Sequence, residues 1–275
     1  MILYKYLAPE RVDVLQKSHI RYTQPILFND PFESRPFFSF GSIDWLQQAL
    51  NGEIEEGKLG EGKAAQAVKA IESVGLEDAE EVIRLLFWFA CAGMFGILSL
   101  TEKPDNLLMW AHYARSHEGY VIGFNVEHEY FTHLIDVDNA ISEFGKVKYS
   151  IERPRKISER LDIADIYFTK SLEWEYEQEW RIIRPFDFKR MKDLSDIIDS
   201  KLLPIFLFAF PPACVESVII GCNASEETKS TIKGVLSERI EYRHVMLYEA
   251  EIHKQEFRLV IKEMRPNNSF NPTPR

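Results

Sequence analysis

The stretch of sequence that is densest in groups able to do chemistry is residues 174–181, which read Trp-Glu-Tyr-Glu-Gln-Glu-Trp-Arg. If a β-strand begins at Glu179, its side chains alternate between two faces, and Glu177, Glu179 and Arg181 share one face. Two carboxylates at that spacing repel each other, so one should have a raised pKa unless Arg181 or Lys170 neutralises the pair. Such a carboxylate can act as a base or stabilise an oxocarbenium ion. The alternative is a solvated strand start with surface ion pairs.

A second group of polar side chains lies around Pro31, where Asn29, Asp30 and Glu33 stand among large apolar residues. Asn-Asp-Pro is typical of a turn, because the residue before a proline avoids helical geometry. Two interpretations are open. The side chains either satisfy the backbone of a packed loop or contact a ligand.

A third group comprises Trp110, His112, Tyr113 and His117, on and after a short predicted helix at 107–113. A histidine among aromatic residues is typical of a half-buried structural position as well as of a catalytic one. No cysteine or serine beside these histidines completes a nucleophile signature.

The composition sets limits on the class of protein. The 275 residues carry 33 basic and 43 acidic side chains, a formal net charge of −10, which argues against a broad non-specific nucleic-acid surface. Three cysteines without metal-ligand spacing predict neither a disulfide framework nor a zinc site. The N-terminus lacks signal-peptide features, and the apolar stretch 85–100 is shorter than the ~20 residues of a membrane span. We therefore expect a cytoplasmic protein with no membrane partner.

The order of the predicted elements indicates an α+β fold. We expect one domain over residues 1–265, with a mixed or split β-sheet flanked by helices, a helical insertion at about 42–92 and a disordered tail at 266–275. No glycine-rich turn follows a strand, which argues against a doubly wound Rossmann fold. The pattern predicts strands at 2–7, 19–23, 95–101, 119–124, 144–149, 179–185, 215–221, 244–252 and 256–261. It predicts helices at 9–17, 42–50, 63–73, 76–91, 107–113, 158–170, 189–200 and 225–237.

Several short motifs, taken in order, resemble a bacterial family of unknown function, DUF2971. The motifs span residues 2–221 and are Lys5-Tyr6, 28–33, 109–113 with His117 and Gly119, Lys170, 174–181 and 218–221. The name of this family implies no activity. The tail 267–275 is similar to the translated end of an integron gene cassette, which implies a mobile gene, often one for phage defence or toxicity.

The chain also resembles, more loosely, the ADP-ribosyltransferase-like superfamily. Members carry a basic or polar residue on an early strand, a serine or threonine on a middle strand, and a glutamate, often as Glu-x-Glu, at the start of a late strand. This chain offers the same order in Lys5 and Tyr6, Ser99 and Thr101, and Glu177 and Glu179.

This resemblance implies that NAD is a substrate, consumed by an ADP-ribosyltransferase or an NAD glycohydrolase, and that no metal is needed. Breaking the nicotinamide–ribose bond develops positive charge on the sugar, which a fixed carboxylate stabilises. The implied catalytic residues are Glu179 and Glu177. The implied NAD-binding residues, with aromatic rings to sandwich the nicotinamide, are Lys5, Tyr6, Ser99, Trp110, His112 and Tyr113. Further residues expected to line the cleft are Asn29, Asp30, Glu33, His117, Lys170, Trp174, Tyr176 and Arg181.

Two other functions stay open. Asp30, Glu33, Glu177 and Glu179, helped by Lys170, have the oxygen ligands of a metal-dependent phosphodiesterase or nuclease. Alternatively, the motifs hold together a non-catalytic sensor or partner-binding module. The acceptor of a transferase would be a protein, a nucleic acid or a small molecule, and a defence system would supply a partner protein.

Geometry separates these functions. Buried tryptophans, histidines and carboxylates need partners, so we expect 28–33, 110–117 and 170–181 to converge on one cleft. We expect Glu179 to project into that cleft and to lie near Lys5, Arg181 or Lys170. A metal site would instead bring Asp30 or Glu33 within ~5 Å of Glu177 or Glu179.

Overall fold

The fold is seen in a computed structural model that describes residues 1–35, 37–38, 44, 51, 61–75, 77–82, 95–132, 136–137, 140–141, 143–156, 163–186, 195–198 and 205–264. Its strands are β1 (Ile2–Leu7), β2 (His19–Tyr22), β3 (Phe37–Phe38), β4 (Phe95–Thr101), β5 (Tyr120–Asn125), β6 (Asp136–Val137), β7 (Ala140–Ile141), β8 (Glu143–Lys146), β9 (Lys148–Ser150), β10 (Arg155–Lys156), β11 (Thr169–Ser171), β12 (Glu179–Pro185), β13 (Ser195–Ile198), β14 (Ile205–Ala209), β15 (Val215–Ile220), β16 (Met246–Ile252) and β17 (Leu259–Glu263).

Its α-helices are α1 (Asp13–Lys17), α2 (Glu61–Val74), α3 (Leu107–Tyr113), α4 (Glu129–Thr132), α5 (Ile163–Tyr167) and α6 (Glu226–Glu238). Short 3-10 helices span Pro9–Val12, Pro25–Leu27, Leu172–Glu177, Pro212–Cys214 and Ile240–Tyr242. Among the described residues, no helix is long and apolar enough to cross a membrane.

The central sheet has eight strands in the order β17-β16-β15-β5-β1-β4-β12-β8. Neighbouring strands are antiparallel, except that β15 and β16 are parallel. A smaller sheet has the order β13-β14-β2. The mixed sheet and the surrounding helices confirm the predicted α+β fold. They differ from a doubly wound fold, in which the sheet is mostly parallel.

The middle of the central sheet is buried on both faces. Val121 and Ile219 pack into a core with Trp110, whereas Ile122 and Val218 pack into a larger core on the opposite face. A strand covered on both sides requires a continuous apolar run, which residues 120–122 of β5 and 218–220 of β15 provide.

The central sheet is split between β1 and β4. These strands share one paired position, Tyr4 with Thr101. Four residues earlier along β4, Ile97 exchanges two backbone hydrogen bonds of 2.9 Å with Thr23, which follows β2. Alternate residues of an antiparallel strand direct their backbone groups to the same side. Ser99 therefore faces the gap between these two pairings, and its carbonyl accepts a hydrogen bond of 2.9 Å from the Lys5 ammonium.

Of two predicted helices, the first is helical over only part of its described residues and the second is a strand where it is described. Within 158–170, α5 ends at Tyr167, and Thr169–Ser171 forms β11 because it pairs in parallel with β9. Within 189–200, Ser195–Ile198 is strand β13, since its backbone pairs with the apolar strand β14. The predicted strand at 144–149 is two strands, β8 and β9.

Other parts of the prediction agree with the structure. The closing hairpin forms as β16 and β17, with the second strand starting at Leu259 rather than at Glu256. The helical insertion at 42–92 includes α2 and a helical segment at 77–82. Most of 42–50, the segment 83–91 and the tail 266–275 lie outside the described residues.

Candidate functional site

A cavity of about 230 Å³ occupies the split in the central sheet. One wall is β1 and the opposite wall is β4, while Thr23 stands at one end of the gap. The residues that line this cavity, called the split pocket below, are Tyr4, Lys5, Tyr6, Thr23, Phe28, Asn29, Glu33, Ile97, Ser99, Leu100, Met109, Tyr113, Lys170, Glu177 and Glu179. Residues from the three segments 28–33, 110–117 and 170–181 therefore meet at one site.

In the loop after Pro25–Leu27, one acidic side chain stabilises the backbone of the loop and other side chains line the pocket. Asp30 is buried and accepts a hydrogen bond of 2.9 Å from the backbone amide of Phe32, so it stabilises the turn. Phe28, Asn29 and Glu33 line the split pocket. Asp30 does not line it.

Helix α3 positions two pocket residues, Met109 and Tyr113. They are four positions apart and therefore lie on the same helical face. Asn106 caps this helix by accepting hydrogen bonds from the amides of Leu108 and Met109, and its side-chain amide donates to the carbonyl of Tyr176 at 2.9 Å. The cap thus ties α3 to the segment that carries Glu177.

Glu177 and Glu179 reach the pocket from two different elements. Glu177 ends the 3-10 helix Leu172–Glu177, Gln178 has a left-handed backbone with φ 45°, and Glu179 begins β12. The predicted strand start at Glu179 is correct, but Glu177 does not belong to that strand. The hydroxyl of Thr101 donates to the carbonyl of Glu177 and holds this corner against β4.

Lys170 joins the two carboxylates. Its ammonium lies 2.5 Å from Glu177 Oε2, 3.2 Å from Glu179 Oε2 and 3.9 Å from Glu33 Oε2. The ring of Trp174 also lies 4.9 Å from the ammonium, in a cation–π contact. Like the three glutamates, Lys170 is buried.

Arg181 closes the network on the other side. Its side chain is 0% exposed and donates from Nε and Nη2 to the two oxygens of Glu179, each at 2.9 Å. Arg181 also donates to Glu33 and to the carbonyl of Tyr167. The result is a buried chain of alternating charges, in the order Glu177, Lys170, Glu179, Arg181 and Glu33.

These contacts set the ionisation of the site. Burial by itself would raise the pKa of Glu179, but Arg181 and Lys170 outweigh burial and hold this pKa at about 2. Burial raises the pKa of Glu33, although Arg181 and Lys170 oppose the change. Burial alone would lower the pKa of Lys170, but the neighbouring glutamates raise it. Glu179 is therefore a fixed anion and Lys170 a fixed cation at neutral pH.

Acid titration of stability tests this assignment. The pKa of Glu179 falls from 4.5 to about 2 on folding, so its stabilisation is present above about pH 4.5 and is lost as the pH falls toward 2. Glu33 acts in the opposite direction, since its folded pKa is raised and the folded protein binds this proton first. We expect the free energy of unfolding, from urea titrations, to hold level or rise on mild acidification and then to fall below about pH 4.5.

The variant Glu33→Gln separates the two contributions. It should remove any rise on mild acidification, so that the curve is level down to about pH 4.5, and leave the fall at lower pH. A wild-type stability that declines steadily from neutral pH, with the same shape in Glu33→Gln, contradicts the assignment.

Lys5 differs from Lys170 in its contacts. Burial lowers the pKa of Lys5 to about 8, against the opposing influence of Glu179 and Glu177. Among the described residues, Lys5 forms one hydrogen bond, to the Ser99 carbonyl, and no ion pair within 4.0 Å. Lys5 lines the split pocket.

Several residues predicted for the cleft lie outside the split pocket. Trp110 is 0% exposed and donates to the Pro104 carbonyl, His112 is exposed, and His117 stacks on Trp110 with ring centroids 6.0 Å apart. Trp174 packs on Lys170, and Tyr176 packs against the core around Trp110. Arg181 contacts two pocket residues, Glu33 and Glu179. The NAD-binding residues predicted from sequence that do line it are Lys5, Tyr6, Ser99 and Tyr113.

Sequence reasoning missed other residues at the site. Tyr4, Thr23 and Met109 line the pocket, and the Tyr149 hydroxyl accepts a hydrogen bond of 2.8 Å from the Glu179 amide. Met109 could have been found from its helical spacing with Tyr113. The other positions depend on strand pairing that carries no local signal.

The described part of the chain contains no group of three or more histidine, cysteine, aspartate or glutamate residues that could hold a metal ion. The carboxylates that were considered as metal ligands are instead paired with Lys170 and Arg181.

Comparison with known proteins bears on the family. Residues 109–182 match the model of a family described as "Protein of unknown function (DUF2971)". This match confirms the predicted family resemblance over residues 109–182, a segment that contains Tyr113, Lys170, Glu177 and Glu179. The resemblances of the site to ADP-ribosyltransferases and of the tail to a cassette end stay predictions. Searches of curated proteins and of solved structures found no significant match.

Proposed function

We propose that this protein with a DUF2971 segment is a cytoplasmic NAD-consuming enzyme, an ADP-ribosyltransferase or NAD glycohydrolase that acts in phage defence or toxicity. One observation carries the proposal. The carboxylate of Glu179, ionised and fixed by two hydrogen bonds from Arg181, lines a pocket that aromatic rings also line. Perturbed titratable groups in a concave site are the usual signature of catalysis.

The electrostatics of the split pocket suit a cationic transition state. Glu33, Glu177 and Glu179 supply three carboxyl groups against the two cations Lys170 and Arg181. Protonated Lys5 balances the remaining charge, and with a pKa of about 8 it loses that proton more readily than an ordinary lysine. Because the charges of Glu179, Lys170 and Arg181 are already fixed, these groups need no reorganisation when positive charge develops on a sugar.

The walls suit a flat ring attached to a sugar. Tyr4, Tyr6, Phe28 and Tyr113 provide aromatic surfaces, which attract the positively charged nicotinamide ring of NAD. A volume of about 230 Å³ is smaller than the ~300–1,000 Å³ of pockets for drug-sized ligands. We therefore place the nicotinamide–ribose end inside the pocket and the adenosine end outside it.

The reaction follows from this placement. The bond between ribose C1′ and the nicotinamide nitrogen breaks, and its electron pair leaves with neutral nicotinamide. Positive charge passes to the sugar, where Glu179 stabilises it more than in the ground state. Water then attacks C1′ and releases a proton to solvent, which gives ADP-ribose. An acceptor nucleophile in place of water gives a transferase.

The distance that a metal site requires is met, because Glu33 and Glu179 both contact Arg181 Nη2 and therefore lie within ~5 Å of each other. The contacts of these carboxylates nevertheless favour a metal-dependent nuclease less than NAD cleavage. Each of the carboxylates Glu33, Glu177 and Glu179 already contacts Lys170 or Arg181. A divalent cation would have to displace those buried cations. Asp30, the fourth acidic residue of the predicted metal site, instead accepts a hydrogen bond from the Phe32 amide within its own turn.

The proposal is tested by incubating the purified protein with NAD and measuring free nicotinamide by chromatography, with and without EDTA. We expect nicotinamide release that EDTA does not change. The rate should rise as the pH passes through about 8, because Lys5 loses its proton there and the pocket becomes more negative. A wild-type protein that is folded but releases no nicotinamide would refute the proposal, and loss of release with EDTA would favour the metal-dependent reading.

A further inference from the structure

We propose that Lys5 is a nucleophilic lysine that forms an imine with a small hydroxylated aldehyde in the split pocket. This activity goes beyond NAD cleavage and does not depend on it. The chemistry requires an amine that is accessible, unpaired and able to lose its proton at neutral pH.

The position of Lys5 meets the first two conditions. Its ammonium has three donors, of which the single hydrogen bond to the Ser99 carbonyl uses one. Across the described residues it has no carboxylate within 4.0 Å. The missing backbone pairing between β1 and β4 leaves open the space into which Lys5 reaches.

The contrast with Lys170 meets the third condition. Lys170 contacts three carboxylates, and its raised pKa keeps it protonated. Lys5, with a pKa of about 8, has roughly one-fifth of its amine neutral near pH 7.4, against about one in a thousand for an ordinary lysine. The two lysines of the pocket therefore divide their roles between a fixed charge and a nucleophile.

The walls of the pocket select a ligand with hydroxyl groups. A carboxylate has about four acceptor positions. Glu177 uses its oxygens for contacts with the Tyr113 hydroxyl at 2.6 Å and with Lys170 at 2.5 Å. Its remaining acceptor positions can take hydroxyl hydrogens from a ligand, and the cavity of about 230 Å³ limits that ligand to a small molecule.

The covalent step is balanced without a further reactant. The lone pair of the neutral Lys5 amine adds to the carbonyl carbon and gives a carbinolamine. The nitrogen loses its two protons, the former carbonyl oxygen leaves as water, and a carbon–nitrogen double bond forms. Aldehyde and amine thus give imine and water, and the step is reversible by hydrolysis.

The test uses the wild-type protein without NAD, glycolaldehyde as the probe and cyanoborohydride to reduce any imine. Peptide mass spectrometry then follows the modification of each lysine. The internal reference is Lys262, whose side chain is 56% exposed. We expect Lys5 to be modified at least about tenfold faster than Lys262 near neutral pH, with a rate that levels off above about pH 8.

Two variants and a second probe complete the test. Lys5→Arg keeps the cation and cannot form an imine, so labelling at position 5 should vanish, whereas Lys262→Arg should leave labelling of Lys5 unchanged. A Lys5 that reacts no faster than Lys262 overturns the proposal. Reaction with formaldehyde but not with glycolaldehyde overturns the ligand class. These results come from wild-type protein, so they hold even if Lys5→Arg does not fold, and they leave the nicotinamide assay unaffected.

Discussion

Replacement of Arg181 by methionine is expected to lower the free energy of unfolding by about 3–5 kcal/mol, the usual cost of breaking a buried ion pair by removing one partner. Arg181 is completely buried and contacts Glu179, Glu33 and the carbonyl of Tyr167. Methionine fills similar space but leaves two buried carboxylates with Lys170 as their nearby cation. Urea unfolding of both proteins at neutral pH measures the difference.

The matched control is Arg258→Met, which removes an arginine whose side chain is 54% exposed and paired with Glu256. This change should stay within about 0.5 kcal/mol, because surface ion pairs contribute little. Adding Glu179→Gln and Glu33→Gln to Arg181→Met should recover part of the loss, since no buried anion is then left unpaired. If Arg181→Met were as stable as Arg258→Met, the network would not be buried as described.

Replacement of Glu179 by glutamine is expected to slow nicotinamide release by about two orders of magnitude, the scale for loss of one electrostatic stabiliser. Glutamine keeps the shape of the side chain but removes the charge that Arg181 and Lys170 hold in place. The structure adds a cost that the sequence did not suggest. The variant should also be less stable, because two buried cations lose an anionic partner.

The control for this variant is Glu175→Gln, on the same 3-10 helix but exposed. It should retain the wild-type rate and stability. Rates are compared below the melting transition of Glu179→Gln, so that unfolding does not contribute. Glu177→Gln should be slowed less, since Glu177 contacts Tyr113 and Lys170 and not Arg181. Equal rates for the two variants at positions 179 and 175 would assign Glu179 a structural role.

The convergence of three separate segments on one site could be predicted from the sequence. Clusters such as Asn29–Glu33 and 174–181 combine charges and aromatic rings that are costly to bury without partners. Each of the two clusters also contains large apolar side chains, which favour burial of the segment. The requirement that buried charges be paired therefore pointed to the contact between Lys170, Arg181 and the glutamates.

The location of the pocket could not be predicted in this way. It depends on β1 and β4 pairing at Tyr4 and Thr101 and parting before Ser99, a contact between residues almost a hundred positions apart. The same limit explains Glu177. The alternation of side chains in a strand predicts that Glu177 and Glu179 lie on one strand. In the structure the left-handed backbone of Gln178 separates the 3-10 helix that ends at Glu177 from strand β12. The local pattern at 189–200 predicts a helix where strand β13 forms, because the partner strand β14 lies outside that segment.

The placement of Trp110 shows how burial overrides a functional pattern. A tryptophan beside histidines and a tyrosine suggested a ring that stacks on a ligand. The structure buries Trp110 between Tyr6 and His117, where its indole nitrogen donates to the Pro104 carbonyl. Tyr113, one turn further along α3, reaches the pocket instead.

The most direct test of the central claim, that the split pocket holds the reacting end of NAD, is a crystal structure of Glu179→Gln with NAD bound. This variant should keep the substrate intact. We expect the nicotinamide ring to lie among Tyr6, Phe28 and Tyr113, ribose C1′ to face residue 179, and the adenosine to lie outside the pocket. NAD bound elsewhere on the protein, with the split pocket unchanged, would contradict this claim.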